Sequence, residues 1–200
     1  MERKTRWGWA ALLAVGMWLA AWPGSAQIFP MENRAKPEKF DEKITGTDLR
    51  TDKEVTLADY AGYVVVIDVW ATWCGPCVRE LPDMVEFQKE YADKKFTYIG
   101  LSADDPNDVE GVRKFVEEKG INYPILMVTP SMIEVLSEAF GKPIRSIPTK
   151  IVLDRKGRIA SVVVGSPMED PEMRQEYETM LKKLIAEPIP KEVAVKPATR

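Results

Sequence analysis

Cys74 and Cys77 are the only cysteines in a chain of 200 residues. They sit three positions apart in "VVVIDVWATWCGPCVRELP" (64–82), between an apolar run and a helical pattern. Thiols at that spacing could grip a soft metal, staple the chain, or exchange with a disulfide on another molecule. Tetrahedral zinc would need two further ligands, and the chain has no other cysteine and no histidine to supply them. The lack of histidine also removes histidine triads and histidine general bases. A staple closing so short a loop takes little entropy from the unfolded chain. Exchange chemistry asks only for a thiol that ionises easily and a second within reach of it.

The residues around the pair supply both. An apolar strand delivers Cys74 to the start of a helix whose first turn holds Pro76, where a missing N–H does no harm. Free N–H groups and the positive end of the helix dipole favour a thiolate there, lowering a thiol pKa from about 8.5 towards roughly 3.5–7.5. Cys77 follows on the same helical face, within reach of the first sulfur. One thiol can then attack a disulfide and the second can resolve the mixed disulfide. Cys74 is expected to be the exposed attacker and Cys77 the shielded resolver. Asp68 interrupts the apolar run before them, and an acid there costs too much to be incidental. It is the first candidate for the group that takes the Cys77 proton, with Glu80 the second.

The elements that must position these residues alternate in period. "YVVVIDVW" (63–70), "FTYIGLS" (96–102), "TKIVLD" (149–154) and "IASVVVG" (159–165) read as buried strands. Val109, Val112, Phe115 and Val116 form one helical stripe, and Ile133, Leu136 and Phe140 form another. Met173, Tyr177, Met180, Leu181, Leu184 and Ile185 form the clearest. Interleaved strands and helices give an α/β domain with a largely parallel centre. The short turn "RKGR" makes the last two strands an antiparallel hairpin.

Outside that domain, Arg3, Lys4 and Arg6 precede a 16-residue apolar run, Trp7–Trp22, and Gly24 and Ala26 stand two apart before Gln27. A basic start, an apolar centre and a small-x-small exit describe a secretory signal peptide over 1–26, or an anchor if the run is kept. Either way the domain would face an extracytoplasmic space that permits disulfides. Residues 27–39 read as a polar, proline-broken linker, 40–187 as the domain, and 188–200 as a flexible tail. Without 1–26 the chain keeps 25 basic and 30 acidic residues, a net charge of −5. That excludes a basic footprint for nucleic acid.

"WCGPC" after an apolar strand resembles thioredoxin. Asp68 falls where thioredoxins keep a buried acid, Trp73 precedes the first cysteine, and "SIPTKIVLDRKGRI" is similar to the cis-proline loop, with Pro148 in the proline position. The signal-like start and the 71 positions between Cys77 and Pro148 resemble the TlpA/ResA-like extracytoplasmic branch. There "DPNDVEGVRKFVEEKGINYPILMV" would be a helix–strand insertion, and Glu80 in "CVRELP" matches a branch acid. The resemblance covers roughly residues 40–186. One departure is Asp68, where many branch members carry asparagine, and it leaves open whether Asp68 or Glu80 handles the proton.

That resemblance implies a thioredoxin-like fold, a central mixed sheet flanked by helices. It implies dithiol/disulfide exchange with Cys74 as nucleophile, Cys77 as resolving thiol, Asp68 or Glu80 as proton acceptor and a cis Pro148. Trp73, Gly75, Pro76 and Ile147 would meet the substrate. No cofactor or metal is called for. The partners would be disulfide-containing exported proteins and a membrane electron donor that re-reduces the pair, with the chain acting as a monomer. Two alternatives share the fold. A peroxiredoxin-type peroxidase would place P-x-x-x-T-x-x-C at the cysteine, and "VWATWC" has no such proline. A Cu(I)-binding assembly factor could use the two thiolates.

Overall fold

The computed structural model describes residues 26–37 and 40–191. In chain order these form β1 (Gln27–Arg34), α1 (Phe40–Lys43), β2 (Thr45–Thr47), β3 (Glu54–Thr56), β4 (Val64–Trp70) and α2 (Gly75–Tyr91). Then come β5 (Phe96–Ser102), α3 (Val109–Glu118), β6 (Ile125–Met127), α4 (Pro130–Phe140), β7 (Thr149–Leu153), β8 (Ile159–Val164) and α5 (Pro171–Ala186). Six strands make one mixed sheet in the order β1-β8-β7-β4-β5-β6, while β2 and β3 pair apart as a small hairpin.

β4 is the hub because all seven of its residues are buried, which requires cover on both faces. Val64, Val66 and Trp70 point to a core shared with α2, α3 and α5. Val65, Ile67 and Val69 point to a second core under α1 and α4. Asp68, in register with the first set, therefore lies on the face that α2 covers.

β4 pairs in parallel with β5, and β5 with β6. The expectation of a largely parallel centre holds for that half only. The chain leaves α4 through a left-handed Gly141 (φ 80°), crosses 142–148 and enters beside β4 in the opposite direction, so β7 and β8 are antiparallel. Helix and strand do fill the segment between Asp105 and Val128, as α3 and β6.

Residues 27–39 are not simply a linker. Residues 27–34 are β1, an edge strand antiparallel to β8. An edge strand has hydrogen bonds on one side only, so Pro30 is tolerated, and the register shifts between Pro30 and Arg34. Phe29 holds the strand down through its ring contact with Phe140 at 5.6 Å, and its carbonyl accepts the Ser161 hydroxyl at 3.1 Å. Among the described residues the buried core thus reaches back to Ala26, ahead of β1. The rest of the expected signal segment, 1–25, lies outside the described residues, as does 192–200 of the expected tail. Residues 188–191 carry no helix or strand.

Candidate active site

Two loops and two strands build the site. After β4 the chain turns through Ala71–Trp73, and this turn is tied to the end of β5. The Thr72 amide and hydroxyl donate to Asp104 at 3.0 and 2.6 Å, and the Ser102 hydroxyl donates to the same carboxylate at 2.7 Å. Cys74 then caps α2 from extended backbone (φ −83°, ψ 102°), and its sulfur accepts the Cys77 amide at 3.3 Å. Pro76 occupies the first turn, while Pro82 lies inside α2 without ending it. Cys74 and Cys77 are joined as a disulfide, S–S 2.04 Å and Cα–Cα 5.3 Å.

Cys74 was expected to be exposed, and it is only 6% so, against 1% for Cys77. In the disulfide its sulfur is drawn onto Cys77 over the end of α2. The exposed group is Trp73, at 70%. Across from the pair, the Ile147–Pro148 peptide bond is cis. The Pro148 carbonyl accepts the Gly165 amide at 2.9 Å, and the Thr149 hydroxyl closes the loop onto Ser146 O at 2.7 Å. Among the described residues the Ile147 amide and carbonyl carry no hydrogen bond. Pro76, Ser146, Ile147, Pro148, Gly165 and Ser166 line an open groove of about 340 Å³ between the two loops. Gly75 begins α2 at the edge of this site.

Beneath the cysteines lies a charge cluster. Asp68 and Lys150 are register partners across β4 and β7, so their side chains share one face of the sheet. Glu80 comes down onto that face from α2, one turn past Cys77 on the helix's buried side. The Lys150 ammonium donates to Asp68 Oδ1 at 3.0 Å and to Glu80 Oε1 at 2.5 Å. The Ser166 hydroxyl donates to Glu80 Oε2 at 2.7 Å. All three charged side chains are at most 2% exposed. Burial pushes the Glu80 carboxyl up to about 7, although Lys150 pulls against it and Asp68 adds to it. Burial likewise raises Asp68 despite its lysine partner. For Lys150, burial alone would lower the ammonium pKa, but the two carboxylates outweigh it and the pKa rises.

The structure brings Asp68 and Glu80 together under one lysine and sets Trp73, Pro76, Ile147 and Pro148 around the disulfide. Sequence reasoning passed over Lys150, Ser166 and Asp104. Lys150 did carry a signal, since it interrupts "TKIVL", a strand buried at every position, as Asp68 interrupts its own strand.

A sequence model of the Redoxin family matches residues 38–181. The chain is similar to thiol-disulfide oxidoreductase ResA of Bacillus anthracis, 30% identical over 138 residues, which is 69% of this chain and 72% of ResA. It is also similar to thioredoxin-like protein YneN of Bacillus subtilis, 34% identical over 62% of this chain and 68% of YneN. Among solved structures, a thioredoxin-family thiol:disulfide interchange protein from Chlorobium tepidum TLS superposes with a TM-score of 0.62 at 29% identity, covering 71% of this chain and 92% of that one. A DsbF homologue from Corynebacterium diphtheriae also gives 0.62 at 29% identity, covering 80% and 92%. The family match, these relatives and the joined Cys74–Cys77 pair agree: the chain belongs to the Redoxin family and is a thiol–disulfide oxidoreductase.

Proposed function

We propose that the chain reduces disulfides in exported proteins. Reduced Cys74 attacks a substrate disulfide, forming a Cys74–substrate bond and expelling one substrate thiolate. Cys77 then loses its proton to the buried carboxylates and attacks the Cys74 sulfur. The Cys74–Cys77 disulfide forms, the mixed disulfide breaks, and the second substrate thiolate leaves with its electron pair. Two electrons pass from the dithiol to the substrate. With two cysteines in all, the chain needs another protein's dithiol to restore it, and a membrane-bound carrier fits that need.

The observation that carries this reading is the Cys77 amide aimed at the Cys74 sulfur from the first turn of α2. In the reduced form that N–H and the helix end stabilise a Cys74 thiolate, while Cys77 stays shielded over the acids. The cis-proline loop supports substrate docking, since the free Ile147 backbone can pair with an extended chain beside Trp73. Gly75-Pro76 between the cysteines favours the reducing direction by the thioredoxin resemblance. Targets would be exported proteins whose cysteines must be free, such as an apocytochrome c or a copper-site subunit, met by the chain as a monomer.

The extracytoplasmic setting draws on the basic-apolar-small pattern of residues 3–26. It also draws on likeness to the solved structure of a secreted thiol-disulfide isomerase from Corynebacterium glutamicum, 26% identical with a TM-score of 0.62. Cleavage before Gln27 predicts an intact mass lacking residues 1–26, and retention of that segment would make it an anchor. The reduction potential of the Cys74–Cys77 couple tests the direction of electron flow. A value near that of thioredoxin, about −270 mV, is expected, and one near −120 mV would make the chain an oxidant instead.

A further inference from the structure

Glu80, Asp68 and Lys150 put two acids and one base into a site with almost no contact with water. Full ionisation would leave one negative charge unmatched, so the cluster holds either that charge or one extra proton. Each buried ion forfeits several kcal/mol of hydration unless it is paired. The groups facing the cluster offer little further charge. Tyr98 on β5, Tyr123 ahead of β6 and Tyr177 on α5 are fully buried, and burial, reinforced by the two acids, holds their hydroxyls neutral. Cys77 lies one turn before Glu80 on the buried side of α2, and Ser166 is already bonded to Glu80. Among the described residues, the Lys150 ammonium is therefore the one cation that can keep a carboxylate ionised there.

We propose that Lys150 is a positioning residue of the resolving step: held between Asp68 and Glu80, its ammonium keeps one of these carboxylates ionised and aimed so that it can take the Cys77 proton. This rests on the reading of Cys77 as the resolving thiol. Without the lysine, two unpaired carboxyls in an apolar site would both hold protons at neutral pH, and neither could act as a base. The ammonium also fixes geometry. It binds one Glu80 oxygen at 2.5 Å while Ser166 binds the other at 2.7 Å, so the carboxylate cannot swing away from the buried face it shares with Cys77. Asp68, rigid within β4, anchors the ammonium from the neighbouring strand at 3.0 Å.

The test uses the full domain, reduced and mixed with dithionitrobenzoate in a stopped-flow instrument. Cys74 attack releases one thionitrobenzoate and Cys77 attack releases the second, so formation and resolution appear as two phases. Lys150→Met is compared with the unaltered protein, and the charge-balanced Asp68→Asn/Lys150→Met with Asp68→Asn, a pair that stays informative if the single lysine variant unfolds. In both, the midpoint of the resolving-phase pH profile should rise by about one unit or more. The rate near pH 7 should then fall about tenfold, with recovery at higher pH, where hydroxide can take the thiol proton directly. A uniform loss at every pH with an unmoved midpoint would reduce Lys150 to a packing role and overturn the inference. If instead the unaltered protein gives no second phase, or Cys74→Ser releases its single thionitrobenzoate as fast as the unaltered protein's first phase, the assignment of the cysteines fails before Lys150 is reached.

Discussion

Glu80 ties the charge cluster to stability in a way that can be measured without a substrate. Its carboxyl rises from 4.5 in an unfolded chain to about 7 in the fold, chiefly because burial penalises the charged form. Between those values the folded state binds a proton that the unfolded state has released. Stability from this group is therefore fully present below about pH 4.5 and is lost as pH climbs through about 7. The rise from 4.5 to about 7, at about 1.36 kcal/mol per tenfold in proton affinity, gives a loss of roughly 3 kcal/mol across that window. That is a large share of the ~5–15 kcal/mol that holds an ordinary domain together.

The perturbation is Glu80→Gln, which keeps the shape and an acceptor for Lys150 but cannot ionise. Denaturant unfolding of the oxidised protein and of the variant, at steps from about pH 4.5 to 7.5, gives the stability difference at each pH. Carboxylates outside the cluster are common to both proteins and cancel, and the raised Lys150 titrates above the window. The unaltered protein should lose about 3 kcal/mol relative to the variant between the two ends. Parallel curves would show that Glu80 is ionised in the fold throughout. The cluster would then hold no spare proton, and the case for a carboxylate poised near neutrality would fall.

Other expectations follow from the same geometry. Cys77→Ser should accumulate a covalent adduct through Cys74, visible on non-reducing gels, while Cys74→Ser should accumulate almost none; equal trapping would reverse the roles. Asp68→Asn should slow the second phase of dithionitrobenzoate exchange about tenfold or more while changing the first less, and an equal effect on both would remove Asp68 from the resolving step. Asp104→Ala severs the bonds that hold Thr72. It should lower unfolding free energy by about 2 kcal/mol and slow the first phase, because Trp73 and Cys74 follow directly on that turn. Gly100→Ala would place a methyl 2.5 Å from Ile125 Cδ1 and 2.9 Å from the Trp70 indole nitrogen. It should cost about 1–3 kcal/mol, read as a lower denaturant midpoint.

What could be read in the sequence was what local pattern controls. "FTYIGLS" is β5 residue for residue, because a strand covered on both faces is apolar throughout and bounded by polar turns. The stripe from Met173 to Ile185 lies within α5 for the same kind of reason. Elements that depend on distant partners left no such trace. β1 contains Pro30 and two charged residues and is a strand only because β8 offers it an edge. β2 and β3 have three residues each, none of them buried, and three residues are too few for a period to show. Glu80 was a candidate, but its burial lay beyond local reasoning. Beside Arg79 on a helix it looks solvated, and only the packing of α2 over β4 and β7 buries it.

Lys150 is different, because elementary electrostatics could have found it from the sequence. The four apolar runs that became β4, β5, β7 and β8 contain just two charged residues within the strands, Asp68 and Lys150. A charge inside an apolar strand is too costly to stand alone, and the least expensive remedy is the opposite charge in another strand. Pairing the two would have set β7 against β4, and the one-residue-in, one-residue-out rule would then have put Val66 and Trp70 on the same face as the pair. That is the register observed, with Asp68 opposite Lys150, Val66 opposite Val152 and Ile67 opposite Ile151. One ion pair across two strands thus fixes the place of β7 in the sheet and puts an ammonium under the helix that carries the cysteines. The proton chemistry proposed for Cys77 rests on the same side chain, so a sequence that lost Lys150 while keeping Asp68 would have to find another cation to retain it.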